Sequence, residues 1–200
     1  MNELYNENLF SERFRIKSAR LSKWDYSSPG YYFVTICTIN KTNYFGNIEN
    51  GKMILSDIGW VAEKYWQEIP NHFLQIKLDE FIIMPNHVHG IIRIINKYNI
   101  DSVETCHGMS LQNKKIHKQY NKFSQPISGS IPMIINHYKG TCTRAIRQLP
   151  NPFIFHWQSR YHDRVIRNEI ELNIIQKYIK NNPKNWQFDR NNKLLSKPLK

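Results

Sequence analysis

Long apolar runs are missing from this 200-residue chain: no stretch of eighteen occurs, which excludes an ordinary membrane-spanning helix. The N-terminus, MNELYNENLF, lacks the apolar core of a signal peptide, so a cytoplasmic protein without a membrane partner is expected. Cysteine is scarce. Cys37, Cys106 and Cys142 are odd in number, widely spaced and without a C-x-x-C, which argues for a reducing compartment and against a disulfide framework or zinc finger. Acid is also short: 16 Asp and Glu stand against 28 Lys and Arg, a net charge of +12. With 13% aromatics, that balance fits a nucleic-acid binder, cations meeting phosphates and flat rings meeting unpaired bases. A hydrophobic content of 40% over this length suffices for one domain with a substantial core, or one domain plus tails.

What is present centres on Leu78–Ile95, LDEFIIMPNHVHGIIRII. An apolar run interrupted by Pro85-Asn86 reads as strand, tight turn, strand. Strand side chains alternate, so His87 and His89 point to one face and Val88 to the other. A two-residue turn pairs Met84 with His87 and places Ile82 and Glu80 on the histidine face. Two histidines in a strand are often only polar positions on a solvated face. Here both flanks are strongly apolar, which predicts a buried pair, and buried imidazoles need partners for their nitrogens. A divalent ion is one such partner, with further ligands from elsewhere.

Residues 1–29 form a basic arm dotted with aromatics, including Arg13, Arg15 and Arg20; it reads either as a solvated terminus or as an arm following a phosphate backbone. Tyr31–Ile39 is β-branched and aromatic, a strand. Tyr44–Gly46 and Lys52–Leu55, joined through Glu49-Asn50-Gly51, predict a small hairpin, Asn-Gly being the turn signal. Ser56 caps a helix to about Ile69 with Ile58, Val61, Ala62, Tyr65 and Ile69 as its stripe. The stretch 97–128 is polar, basic and too long for a passive loop. Ser130–Leu149 predicts a second amphipathic helix, its stripe Ile131, Ile135, Tyr138, Cys142, Ala145 and Leu149, with Lys139, Arg144 and Arg147 off it. Phe153–Trp157 and Val165-Ile166 suggest a last short strand or extended segment, with Arg160, Arg164 and Arg167 nearby, before a third helix capped by Asn168 and stopped by Pro183. Residues 187–200 are a basic tail. The order predicts an α+β, ferredoxin-like sandwich over 30–186, an antiparallel sheet with helices packed on one face.

On the last helix Tyr178 and Asn182 share a face, with Ile170 and Ile174 extending the row. On pattern alone Tyr178 reads as a core tyrosine and Asn182 as a C-terminal turn residue. Four stretches bring a further resemblance: ARLSKWDYSSPGYYFVTICT (19–38), LDEFIIMPNHVHG (78–90), WQSRYHDRVIRN (157–168) and YIKNNPKNW (178–186). Together they resemble the single-tyrosine HUH transposases, in particular the REP-associated tyrosine transposases, over most of the chain except about 97–128. The resemblance implies an HUH nuclease fold, with His87 and His89 as ligands of Mg²⁺ or Mn²⁺ and Tyr178 as nucleophile. The family's third ligand, a polar residue four after the tyrosine and often Gln, falls on Asn182, one methylene shorter. Many relatives carry His where this chain has Arg164.

The implied activity is cleavage and rejoining of one DNA strand during transposition, through a 5′-phosphotyrosine link that conserves the phosphodiester energy. The implied substrate is a hairpin such as a palindromic repeat, bound by a monomer or homodimer. Arg13, Arg15, Arg20, Lys139, Arg144, Arg147, Arg164 and Arg167 are the candidate DNA contacts, each of which could equally serve solubility. One alternative is the same fold as a hairpin DNA or RNA binder that does not cut. A remoter one is a hydrolytic metalloenzyme joining the histidines to Glu80.

Overall fold

The computed structural model describes residues 24–95, 127–150 and 154–192, and the backbone of Leu9–Phe10 (β1) paired antiparallel with Arg13–Phe14 (β2). Most of the expected arm, the expected insertion from 97 to 126 and residues 193–200 of the tail lie outside the described residues.

Four strands form an antiparallel sheet in the order β6-β7-β3-β8: β3 is Gly30–Cys37, β6 Ile76–Met84, β7 His87–Ile94 and β8 His162–Ile166. Strand alternation splits it into two faces. Tyr32, Val34 and Ile36 of β3, with Val88, Ile92 and Ile94 of β7, point into the larger core. That core is closed by α1 (Asp57–Gln67) and α3 (Ile131–Ile146), giving the α+β sandwich its helical layer. Gly90 belongs to this face for a steric reason: a Cβ there would lie 2.1 Å from the Trp66 ring, so the indole packs onto bare backbone. The opposite face carries Phe33, His87, His89 and Ile91, and α4 (Glu169–Asn181) crosses it, burying Ile175 and Ile179 against Ile91 and Ile166. Burying two such isoleucines contributes about 3–6 kcal/mol to docking α4.

The local chemistry of each element is visible in its ends. The β4 (Gly46–Glu49) and β5 (Lys52–Leu55) hairpin turns through Asn50 and Gly51 at φ 50° and 72°, the left-handed pair that the Asn-Gly signal predicts. Ser56 Oγ accepts from Gly59 N at 3.2 Å and starts α1. That helix stops at Gln67 rather than Ile69, and Pro70 opens a separate turn, α2 (Ile69–His72). In α3 the buried stripe is Ile131, Ile134, Ile135, Tyr138, Cys142 and Ile146; Ala145 is half-buried, and Leu149, past the helix end, still packs in part against the core. Asn168 Oδ1 accepts from Glu171 N at 2.8 Å and caps α4. On α4, Ile170 and Ile174 are exposed, and the row that packs is Ile175 and Ile179, one residue along.

Candidate metal centre and nucleophile

The hairpin β6–β7 turns through Pro85-Asn86 with Met84 opposite His87, which seats His87 and His89 on the α4 face. Both are buried, at 0% and 2% exposure, and their ring centroids lie 4.4 Å apart. Burial opposes the charged form first, and Lys41 and Arg190 add to it, so His87 is pushed down to about 3. His89 is likewise held well below its ordinary value, by burial and then by His87. Neutral imidazoles with free lone pairs are the form that binds metal.

Neighbouring groups decide which nitrogen of His87 is free. Asn86, itself fully buried, donates its Nδ2 to Lys41 O at 3.1 Å and Asn191 O at 2.9 Å, which fixes the amide's orientation. Its Oδ1, an acceptor only, therefore faces His87 Nδ1 at 2.9 Å, and the proton must sit on Nδ1. His87 Nε2 is left a bare lone pair, buried and without a hydrogen-bond partner among the described residues. His89 Nδ1 lies 2.9 Å from Thr35 Oγ1, and its Nε2 lies 3.2 Å from Tyr178 Oη. Outer partners of this kind orient ligating histidines.

Tyr178 is 45% exposed, so it is no core tyrosine. Its ring meets Phe33 edge-on at 6.2 Å, and Phe33 stacks on His89 at 5.3 Å. Burial, then Asp189, raises the phenol's pKa, while Asn182 and Arg190 pull the other way. A register shift between Leu78 and Phe81 accompanies two anchors for α4: Asp79 Oδ1 accepts from Gln176 Nε2 at 2.7 Å, and Glu80 pairs with Lys180 at 3.0 Å. Glu80 is thus engaged by Lys180 and does not join the histidines.

Two further oxygens belong to this region. Asn182, 2% exposed at the end of α4, carries an Oδ1 that is buried and without a hydrogen-bond partner among the described residues. Asp189 follows a 3-10 turn (Trp186–Phe188), and one of its oxygens and one nitrogen of each histidine lie within 4.8 Å of one another. Sequence reasoning missed Asp189; its signal was that it is the one acidic residue after Glu171 in a basic stretch. Residues 187–192 fold back here, with Asn191 and Asn192 buried. Two neutral imidazoles, a carboxylate and orphaned buried acceptors fit a divalent ion.

The expected DNA contacts are scattered. Arg15 and Arg20 lie outside the described residues, as does the side chain of Arg13. Lys139, Arg144 and Arg147 belong to α3 and its end, the helix that packs on the sheet face away from the histidines. There Lys139 Nζ donates to Gln158 O at 2.7 Å, and Arg144 to Thr141 Oγ1 at 3.0 Å. Arg164 pairs with Glu171, and Arg167 is exposed.

No protein-family model matches the chain. It is similar to an uncharacterised protein of Haemophilus influenzae, 37% identical over 191 residues, covering 95% of this chain and 98% of that one. Its fold is similar to that of a REP-associated tyrosine transposase solved with a REP hairpin, at a TM-score of 0.53 and 13% identity over 88% of this chain and 77% of the other.

Proposed function

Because the chain belongs to one family with the Haemophilus influenzae protein and has the fold of the REP-associated tyrosine transposases that its motifs resemble, we propose that it cuts and rejoins single-stranded DNA, with a hairpin foot as the substrate. The observation that carries this is Tyr178 Oη at 3.2 Å from His89 Nε2, a phenol on one element meeting an imidazole pair on another.

His87 Nε2, His89 Nε2 and an Asp189 oxygen would hold a Mg²⁺ or Mn²⁺ ion, with Asn182 Oδ1 as a further candidate ligand. When bound, the ion would neutralise and polarise the scissile phosphate. The chain's own residues do the rest. Asn86 holds the Nδ1 proton of His87, and Thr35 bonds Nδ1 of His89, so the Nε2 atom of each ring is the one left for the site. The α4 anchors hold the phenol within reach. Tyr178 Oη, losing its proton, forms a bond to phosphorus as the bond to the 3′ oxygen breaks. The departing oxygen takes a proton and leaves as a 3′-hydroxyl. Rejoining is the reverse, the 3′-hydroxyl displacing the tyrosine without an external energy source.

One observation favours a second reading, a hairpin binder that does not cut: the Tyr178 hydroxyl occupies the His89 nitrogen an ion would use. Incubation with Mn²⁺ and a single-stranded hairpin oligonucleotide separates the two. A covalent adduct, mapped by mass spectrometry to Tyr178 and absent from Tyr178→Phe, is expected. Binding without an adduct would support the second reading, and an adduct persisting in Tyr178→Phe would remove the nucleophile assignment.

A further inference from the structure

A cleft of about 360 Å³ opens beside the histidine pair. Thr35 lines it, the same residue whose Oγ1 holds His89 Nδ1, so cleft and histidines share a wall. Three cations from three separate parts of the chain line it: Lys41 from the turn after β3, Arg160 from the segment before β8, and Arg190 from the loop after α4. The amides of Gln158 and Asn191 join them, and among the described residues no carboxylate does. Its rim is built at a cost in backbone conformation. Asn40 and Lys41 both sit at φ 51°, a region that side chains other than glycine seldom adopt. Bonds from Asn86 Nδ2 to Lys41 O, and from Lys41 Nζ to Arg190 O at 2.6 Å, hold that rim to the loop carrying Asp189.

We infer that this cleft takes the DNA strand next to the scissile phosphate, Lys41, Arg160 and Arg190 gripping the backbone phosphates of an unpaired segment. Its volume is that of a small-molecule pocket, which admits an unstacked nucleotide and not a duplex. Three converging cations with no acid in the lining match a phosphodiester, which offers charge without base identity. None of the α3 cations lines the cleft: Arg144 is turned to Thr141, and Lys139 is bonded to the carbonyls of Gln158 and Ser159. The assignment rests on the strand-cutting reading for what the adjoining site does, but binding can be measured without cutting.

The test is fluorescence anisotropy of a labelled single-stranded oligonucleotide with the full chain in EDTA, across a salt series. Arg160→Ala/Arg190→Ala, at two exposed positions, is compared with the control pair Arg144→Ala/Arg147→Ala. The cleft variant is expected to bind at least about tenfold more weakly, with the salt slope reduced by about 0.7 for each phosphate no longer neutralised, while the control matches the unmodified chain. Circular dichroism confirms that each variant is folded. An unchanged affinity and slope in the cleft variant would overturn the inference, as would equal losses in the control or no binding by the unmodified chain. Cleft-dependent binding by a protein that forms no Tyr178 adduct would leave the inference standing and remove strand cutting instead.

Discussion

Replacing Asn86 by Asp isolates the turn amide that joins the histidine hairpin to the C-terminal loop. The substitution keeps an acceptor 2.9 Å from His87 Nδ1 but removes both Nδ2 donors, at 3.1 Å to Lys41 O and 2.9 Å to Asn191 O. Asn86 is fully buried, so each missing bond costs on the order of 1–3 kcal/mol, about 2–6 in all. A carboxylate that takes up a proton recovers one donor and not two, so the loss should shrink, without vanishing, at low pH. The cost should fall on the loop that holds Asp189 rather than on the sheet. Hydrogen exchange is expected to show the amides of Asp189 to Asn192 losing at least about tenfold in protection, with the β3–β7 amides least affected. Mn²⁺ affinity, read by electron paramagnetic resonance, should fall about 10- to 100-fold, as it does when outer partners of a metal site are removed. Loop amides as protected as in the parent, together with unchanged Mn²⁺ binding, would refute the idea that one amide organises both halves of the site.

Stability should depend on pH through His87, whose folded pKa near 3 lies below the ordinary value of about 6.5. The unfolded chain takes up the proton first, so stability present above pH 6.5 is lost as pH falls toward 3. Urea midpoints between pH 7 and 5 should report a loss on the order of 2 kcal/mol from this residue alone, and His87→Phe should flatten the curve. Asp189→Asn should weaken Mn²⁺ binding at least about tenfold, and Asn182→Ala by less, both measured by calorimetry. Full binding in Asp189→Asn with loss in Asn182→Ala would make the amide, not the carboxylate, the third ligand.

Where sequence and structure agree, a local signal had no competitor. Pro85-Asn86 between two apolar runs permits one turn, and that turn puts both histidines on one face. Asn50-Gly51 and the Asn168 cap are equally local. The last helix was harder because its isoleucines form two rows, Ile170 with Ile174 and Ile175 with Ile179, of nearly equal merit. Only packing on Ile91 and Ile166 selects the second, and that selection leaves Tyr178 half exposed beside His89 instead of in the core. Asp189 belongs to no periodic element, so its one signal was compositional, a lone acid in a basic stretch. Net charge was legible but its direction was not: which cations face the site depends on the layer each helix occupies.

The orphaned atoms tie these findings together. A fold selected for stability alone would not keep His87 Nε2 and Asn182 Oδ1 buried without partners, since each such group costs on the order of 1–3 kcal/mol. Nor would it hold two adjacent imidazoles neutral by desolvation, or set left-handed residues at Asn40 and Lys41 in the turn that bonds to Asn86 and Arg190. Among the described residues Trp66 Nε1 and Ser130 Oγ are orphaned on the α1–α3 side as well; what sets His87 Nε2 and Asn182 Oδ1 apart is the half-exposed phenol and the Asp189 carboxylate beside the histidines. Local rules that fail together in one place mark where a fold gives up stability for chemistry. His87 Nε2 and Asn182 Oδ1 are both acceptors, which a cation or a hydrogen-bond donor such as water satisfies; two neutral imidazoles and a carboxylate oxygen within 4.8 Å of one another suit a small cation.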